Sequence, residues 1–207
     1  MKISPNLLFS ALFLASGASL LVYVFAGISL AAALALAAVF VTLAGVFTWR
    51  KSSLEKREQI LIRIRVGLVA GFFGTVAYDS SRFLLIKITG IHFWPFDIFN
   101  IFGRAILGSS AQGFWVTPVG VGFHFLNGIT FAISYTILLG KRGALYGVLW
   151  ALGLETLMVA TYPRWLNITF MNEFISVSIF GHLVYGVVVG YLARRLILKY
   201  PEKGSFV

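Results

Sequence analysis

From Pro5 to Trp49 the chain carries no charged side chain, and Ala, Leu, Val and Phe dominate instead. Hydrocarbon offers a backbone no hydrogen-bond partners, so a stretch of this kind enters a membrane only as helix. Further apolar stretches of similar length follow, and together they predict a polytopic membrane helical bundle. Charged residues make up 12% of the chain, against about a quarter in soluble domains, and the mean hydropathy is +0.91. At 207 residues the expectation is all-α: one integral membrane domain over 1–207 with six transmembrane helices. With no cysteine, disulfides and thiolate metal ligands are excluded.

The first two helices are expected over residues 6–26 and 28–49, a peripheral hairpin (6–49) turning at Gly27. The apolar run continues well past the small residues after Ala15, which favours a spanning hairpin over a cleaved leader. A charged loop, RKSSLEKRE, occupies 50–58, and a third helix follows over 60–85. Residues 88–116, with IHFWPFDIFNIFGR at their centre, are dense in aromatics and carry Asp97, Asn100 and Arg104. That mixture suits an outer interfacial or re-entrant segment better than a full span. A fourth helix is expected over 118–139 and, after a tight Gly-Lys-Arg-Gly turn, a fifth that ends at Tyr162 before Pro163. The sixth covers 174–198 and stops before Pro201.

Charge placement orients the bundle. Of seventeen Lys and Arg residues, thirteen fall on one side of six spans: Lys2, the six from Arg50 to Arg65, Lys141, Arg142, Arg194, Arg195, Lys199 and Lys203. Arg82, Lys87, Arg104 and Arg164 fall on the other. The positive-inside rule makes the first side cytoplasmic, with both termini there and the protein in the cell membrane. The net charge of +10 is therefore an orientation signal with some attraction to anionic lipid, and no nucleic-acid partner is expected. The general make-up resembles that of small multi-pass proteins of bacterial inner membranes, which implies nothing about activity.

Within this frame one pattern recurs. Gly67, Gly71 and Thr75 climb one helical face to Asp79, and Gly143, Gly147 and Ala151 climb another to Glu155. Steps of four keep each set on one side of its helix. Each ladder is followed by His-x3-Gly-x3-small, first His124, Gly128 and Ala132, then His182, Gly186 and Gly190. Residues 60–139 and 143–198 thus read as a duplicated helical hairpin, and their G-x-x-x-G pairs as close-packing seams.

On the six-span topology, Asp79, His124, Glu155 and His182 fall at similar heights in the outer half of the membrane. Ionisable groups there cost about 2.5–3.5 kcal/mol each on insertion scales, so they face the bundle interior and find partners. Arg82, three residues after Asp79, is placed to pair with it, and Asn127 shares a face with His124. These six residues are the expected ligand-binding or proton-relay set, and no catalytic residue is assigned. The expected function is binding and transport of a small solute or cation. Imidazole with carboxylate also suits a divalent metal ion, with His124, His182, Glu155 and Asp79 as ligands. Two histidines at one depth suit bis-histidine haem in a redox subunit, the following glycines leaving room for the macrocycle. A metal-dependent membrane enzyme acting on a lipid, its head held by Arg82, Arg104 and Arg164, and a structural accessory subunit are the other readings. The expected partners are the lipid bilayer, the solute or ion, and further copies or a larger membrane complex. Tyr78, Tyr135, Tyr185 and the tryptophans read as interfacial anchors or packing aromatics, and His92, beside Trp94 in the outer segment, is assigned no chemistry.

Overall fold

Helix α1 (Pro5–Leu12) and helix α2 (Ala15–Ala26) replace the single first helix that the sequence suggests, their axes bent by 53°. The computed structural model describes residues 4–200, apart from Asn167 and the side chain of Arg164; Lys2 and Lys203 lie outside the described residues. The bend has a packing cause. Buried Ser10 meets Ser134 (Oγ–Oγ 2.6 Å) and buried Ser16 meets Thr130 (2.9 Å), both on one later helix. Thr130 and Ser134 are one turn apart on a common face, whereas Ser10 and Ser16, six residues apart, would point to different sides of a straight helix. Breaking the helix at residues 13–14 lets both dock.

Gly27 turns the chain with φ 68°, a left-handed conformation that glycine adopts without a side-chain clash. Helix α3 (Leu30–Lys51) follows, its outer face exposing Leu36, Phe40, Leu43 and Phe47. Of the N-terminal elements it is the peripheral one; α1 buries Phe9 and Leu12 in the core. The charged loop over 50–58 is not a loop. Only Ser52 and Ser53 separate α3 from helix α4 (Leu54–Thr89), whose first turn Ser53 caps by accepting the Lys56 N–H. Arg57 turns back to donate to the Trp49 and Arg50 carbonyls, satisfying the end of α3. At 1.5 Å per residue, the 36 residues of α4 run about 54 Å, well beyond a hydrocarbon layer of about 30 Å.

After Gly90 a 3₁₀ turn (Pro95–Asp97) leads into helix α5 (Ile98–Leu107), ten residues and too short to span. Helix α5 lies along helix α6 (Val116–Leu139), and there Asn100 accepts a hydrogen bond from Thr117 at 2.5 Å. A turn over 140–143 enters helix α7 (Ala144–Leu166), and helix α8 (Met171–Ile197) closes the bundle. Pro163 does not end α7 at Tyr162, as expected from sequence; the helix runs one turn further. Proline there removes one N–H near the helix end, while Tyr162 and Trp165 pack edge to face and Trp165 meets Tyr23 and stacks on Phe102.

Every element assigned among the described residues is helical. Five helices, α3, α4, α6, α7 and α8, are long and apolar enough to cross a membrane, and the bent pair α1–α2 makes a sixth if counted as one span. Helix α4 packs along α6 on one side and α8 on the other, and α7 packs along α8. Helices α6 and α7, joined by the short turn, scarcely touch. The two predicted hairpins are therefore alike inside but joined unequally, through α4 and α8.

Candidate functional site

The small-residue ladders position the site. On α4, a Cβ at Gly67 would lie 2.5 Å from the Ile133 Cα and one at Gly71 2.7 Å from the Ile129 Cα, so α4 and α6 touch backbone to backbone. One turn higher, Thr75 fills the space left by Gly128. At the top of the ladder, Asp79 Oδ2 meets His124 Nε2 at 3.0 Å. The other seam is built the same way: Gly147 lies against Gly186 and Gly190, and Glu155 Oε2 meets His182 Nδ1 at 2.7 Å. Its register is the same, because Gly147 meets Gly186 and Gly190 as Gly71 meets Gly128 and Ala132. What differs is a further partner: the Ser178 hydroxyl, one turn before His182, donates to Glu155 Oε2 at 2.9 Å. His182 Nδ1 is also 2.9 Å from the Ser178 carbonyl.

All six expected residues thus lie in the same half of the bundle, the half nearer α5. They form two carboxylate–histidine pairs rather than one cluster. Arg82 completes the first by donating to Asp79 Oδ1, so that carboxylate faces a permanent cation and an imidazole. Glu155 is 3% exposed and its only ion-pair partner among the described residues is His182. A buried carboxylate of that kind is tolerated when it shares a proton with its neighbour or stays hydrogen-bonded. Asn127 makes no cross-helix bond through Oδ1, which is buried without a partner among the described residues, as are Glu155 Oε1 and Arg82 Nε.

Between the pairs stands Tyr78. Its ring centroid is 5.9 Å from that of His124 and 4.9 Å from that of His182, and the Arg82 guanidinium stacks on it at 4.0 Å. The two histidines therefore flank one phenol and line one cavity of about 100 Å³, together with Thr75, Asn127, Tyr162 and Tyr185. A second space of about 70 Å³ adjoins it, bounded by Arg82, Pro95, Phe174 and Ser178. Tyr78 and Tyr185 are thus buried packing aromatics, one of the two roles expected of them, and they also line the cavity. Tyr185 donates to the Gly128 carbonyl at 2.6 Å. Ser178 could have been found in the sequence, because it extends the spacing His182, Gly186, Gly190 by one turn. Tyr78 could not, since it lies on the α8 side of α4, off the ladder.

The expected metal and haem sites do not match this arrangement. No group of three or more His, Asp or Glu side chains is gathered as a metal ion requires, among the described residues. The room at Gly128 and Gly186 is filled by Thr75 and by the α7 backbone, which leaves no slot for a macrocycle. His92 lies outside the cavity, 3.5 Å from Glu173 and stacked on Phe170. Arg104 lies in the last turn of α5, and the side chain of Arg164 is outside the described residues. No protein-family model, curated protein or solved structure matches the chain.

Proposed function

We propose that this chain spans the cell membrane six times with both termini cytoplasmic, and that it binds and carries a small hydrogen-bonding solute through the Tyr78 cavity. The observation that carries the reading is the pair of carboxylate–histidine couples flanking that tyrosine, Asp79–His124 and Glu155–His182. Burying four such groups in apolar helices costs several kcal/mol, and a bundle built only for packing has no need of them. Below the cavity the glycine seams are closed. A site closed at one end suits a carrier better than an open pore. No third carboxylate or histidine joins either couple to complete a metal site among the described residues, whereas a solute that hydrogen-bonds to imidazole, amide and phenol needs none.

The test begins with protein purified in mild detergent. Aqueous and organic extracts of denatured wild type should contain a small molecule that Glu155→Gln and His182→Ala have lost and Leu36→Ala retains. Loaded into proteoliposomes, that molecule should exchange through wild type and not through the two variants. Identical extracts from all four proteins would defeat the reading and leave the couples as packing groups of a structural subunit.

A further inference from the structure

The His182 cavity does not end in protein. Past Asn127 and Phe131 it continues into an apolar groove of about 300 Å³, walled by Ala18 and Leu21 of α2 and by Leu154 and Leu157 of α7. Helices α2 and α7 are not packed side by side; Tyr23 and Trp165 meet edge to face, 5.8 Å apart, at the end of the gap. Ala18 is exposed and Leu157 is 57% exposed, so the groove opens sideways onto the surface that a six-span topology turns toward acyl chains. At its inner end stand His182 and Asn127, whose Oδ1 is buried and lacks a partner. An amide turns its oxygen or its NH₂ toward a ligand by rotation about one bond.

We infer that the ligand of this cavity is a single-chain lipid with an uncharged hydroxyl or carbonyl head, its tail in the α2–α7 groove and its head on Asn127 and His182. The inference rests on the binding function proposed above and names its substrate class. Three features lead to it. The groove is a lane between two helices, with room for one chain. Its polar end is small and bonds by hydrogen bonding. And it offers a charged head no counter-charge: neither Arg82 nor a carboxylate is in the groove wall, where His182 and Asn127 are the polar groups at the inner end. An alcohol or carbonyl displaces nothing and satisfies Asn127.

The experiment uses the whole protein in phosphatidylcholine nanodiscs and, as probe, hexadecanol carrying a mid-chain diazirine and a terminal alkyne. On illumination, adducts should concentrate on Leu21, Leu154 and Leu157. Ala18→Trp and Leu157→Trp, both at open positions that tolerate bulk, should each cut capture about tenfold with the circular dichroism unchanged. Asn127→Leu should weaken it about fivefold to tenfold, the equivalent of one hydrogen bond. Unlabelled hexadecanol should compete and palmitic acid should not. Adducts spread equally over Leu36, Phe40 and Leu43 of α3, or capture indifferent to both tryptophans, would mean ordinary boundary lipid and overturn the inference. If His182→Ala loses an extractable ligand while the tryptophan variants keep it and the probe is not captured, the cavity function stands and the lipid assignment falls. If the extracts do not differ and the probe is not captured, both fall.

Discussion

Two glycines on α7, six residues apart, should respond to alanine with opposite sign. A Cβ at Gly147 would lie 2.1 Å from the Gly186 oxygen and 2.8 Å from the Gly190 Cα, where ordinary contact begins at 3.4 Å. Both obstacles are backbone, so no side chain can swing aside; α8 must retreat by more than an ångström. The reverse approach is as tight, since a Cβ at Gly186 would lie 2.6 Å from the Gly147 oxygen. Overpacking of this kind costs about 1–3 kcal/mol, and a backbone-to-backbone seam belongs at the upper end. At Gly153, by contrast, a Cβ meets nothing within 4 Å. Alanine there only reduces the conformational freedom lost on folding and should stabilise by about 0.5–1 kcal/mol. The assay is unfolding by sodium dodecyl sulfate in mixed micelles, followed by near-ultraviolet circular dichroism. Gly147→Ala should unfold at lower detergent fraction than wild type and Gly153→Ala at higher. Because the seam leads to Glu155, Gly147→Ala should also lose any ligand that the Glu155–His182 couple helps to hold. If Gly147→Ala is neutral, or Gly153→Ala the more damaging, α7 and α8 do not meet backbone to backbone and the placement of that couple must be redrawn.

Tyr185→Phe removes the hydrogen bond to the Gly128 carbonyl and should cost about 0.5–1.5 kcal/mol in the same assay. A double-mutant cycle on Glu155→Gln and His182→Ala should give a coupling of about 0.5–3 kcal/mol, and one on Glu155→Gln and His124→Ala a smaller value, because only the first pair is in contact. Arg82→Met strips Asp79 of its permanent counter-charge and should destabilise by about 3 kcal/mol or more; Arg82→Lys restores charge but not the stacking on Tyr78 and Phe96, and should recover only part of the loss. The chain has no cysteine, so a single cysteine at Arg142 can be labelled without a prior knockout; in intact cells it should react with permeant maleimide and not with an impermeant one.

What could be read directly from the chain is whatever one helix encodes by itself. Length and apolarity mark the helices, and steps of four place Gly67, Gly71, Thr75 and Asp79 on one stripe, because 3.6 residues make a turn. The matching stripes at His124 and His182 indicated which faces would meet, and in both seams a carboxylate finds a histidine. The break between α1 and α2 had no such mark, since its cause is two hydroxyls on α6, more than a hundred residues away. Nor did the chain reveal that Arg57 and Ser53 convert a charged loop into a two-residue turn, or that α7 continues through Pro163 because Trp165 has partners on α2 and α5. Most of all, it could not say that the histidines would stand on either side of Tyr78. Spacing within a helix fixes which residues share a face, but which face meets which neighbour depends on the packing of all the described helices together, and that sum is written in no local pattern.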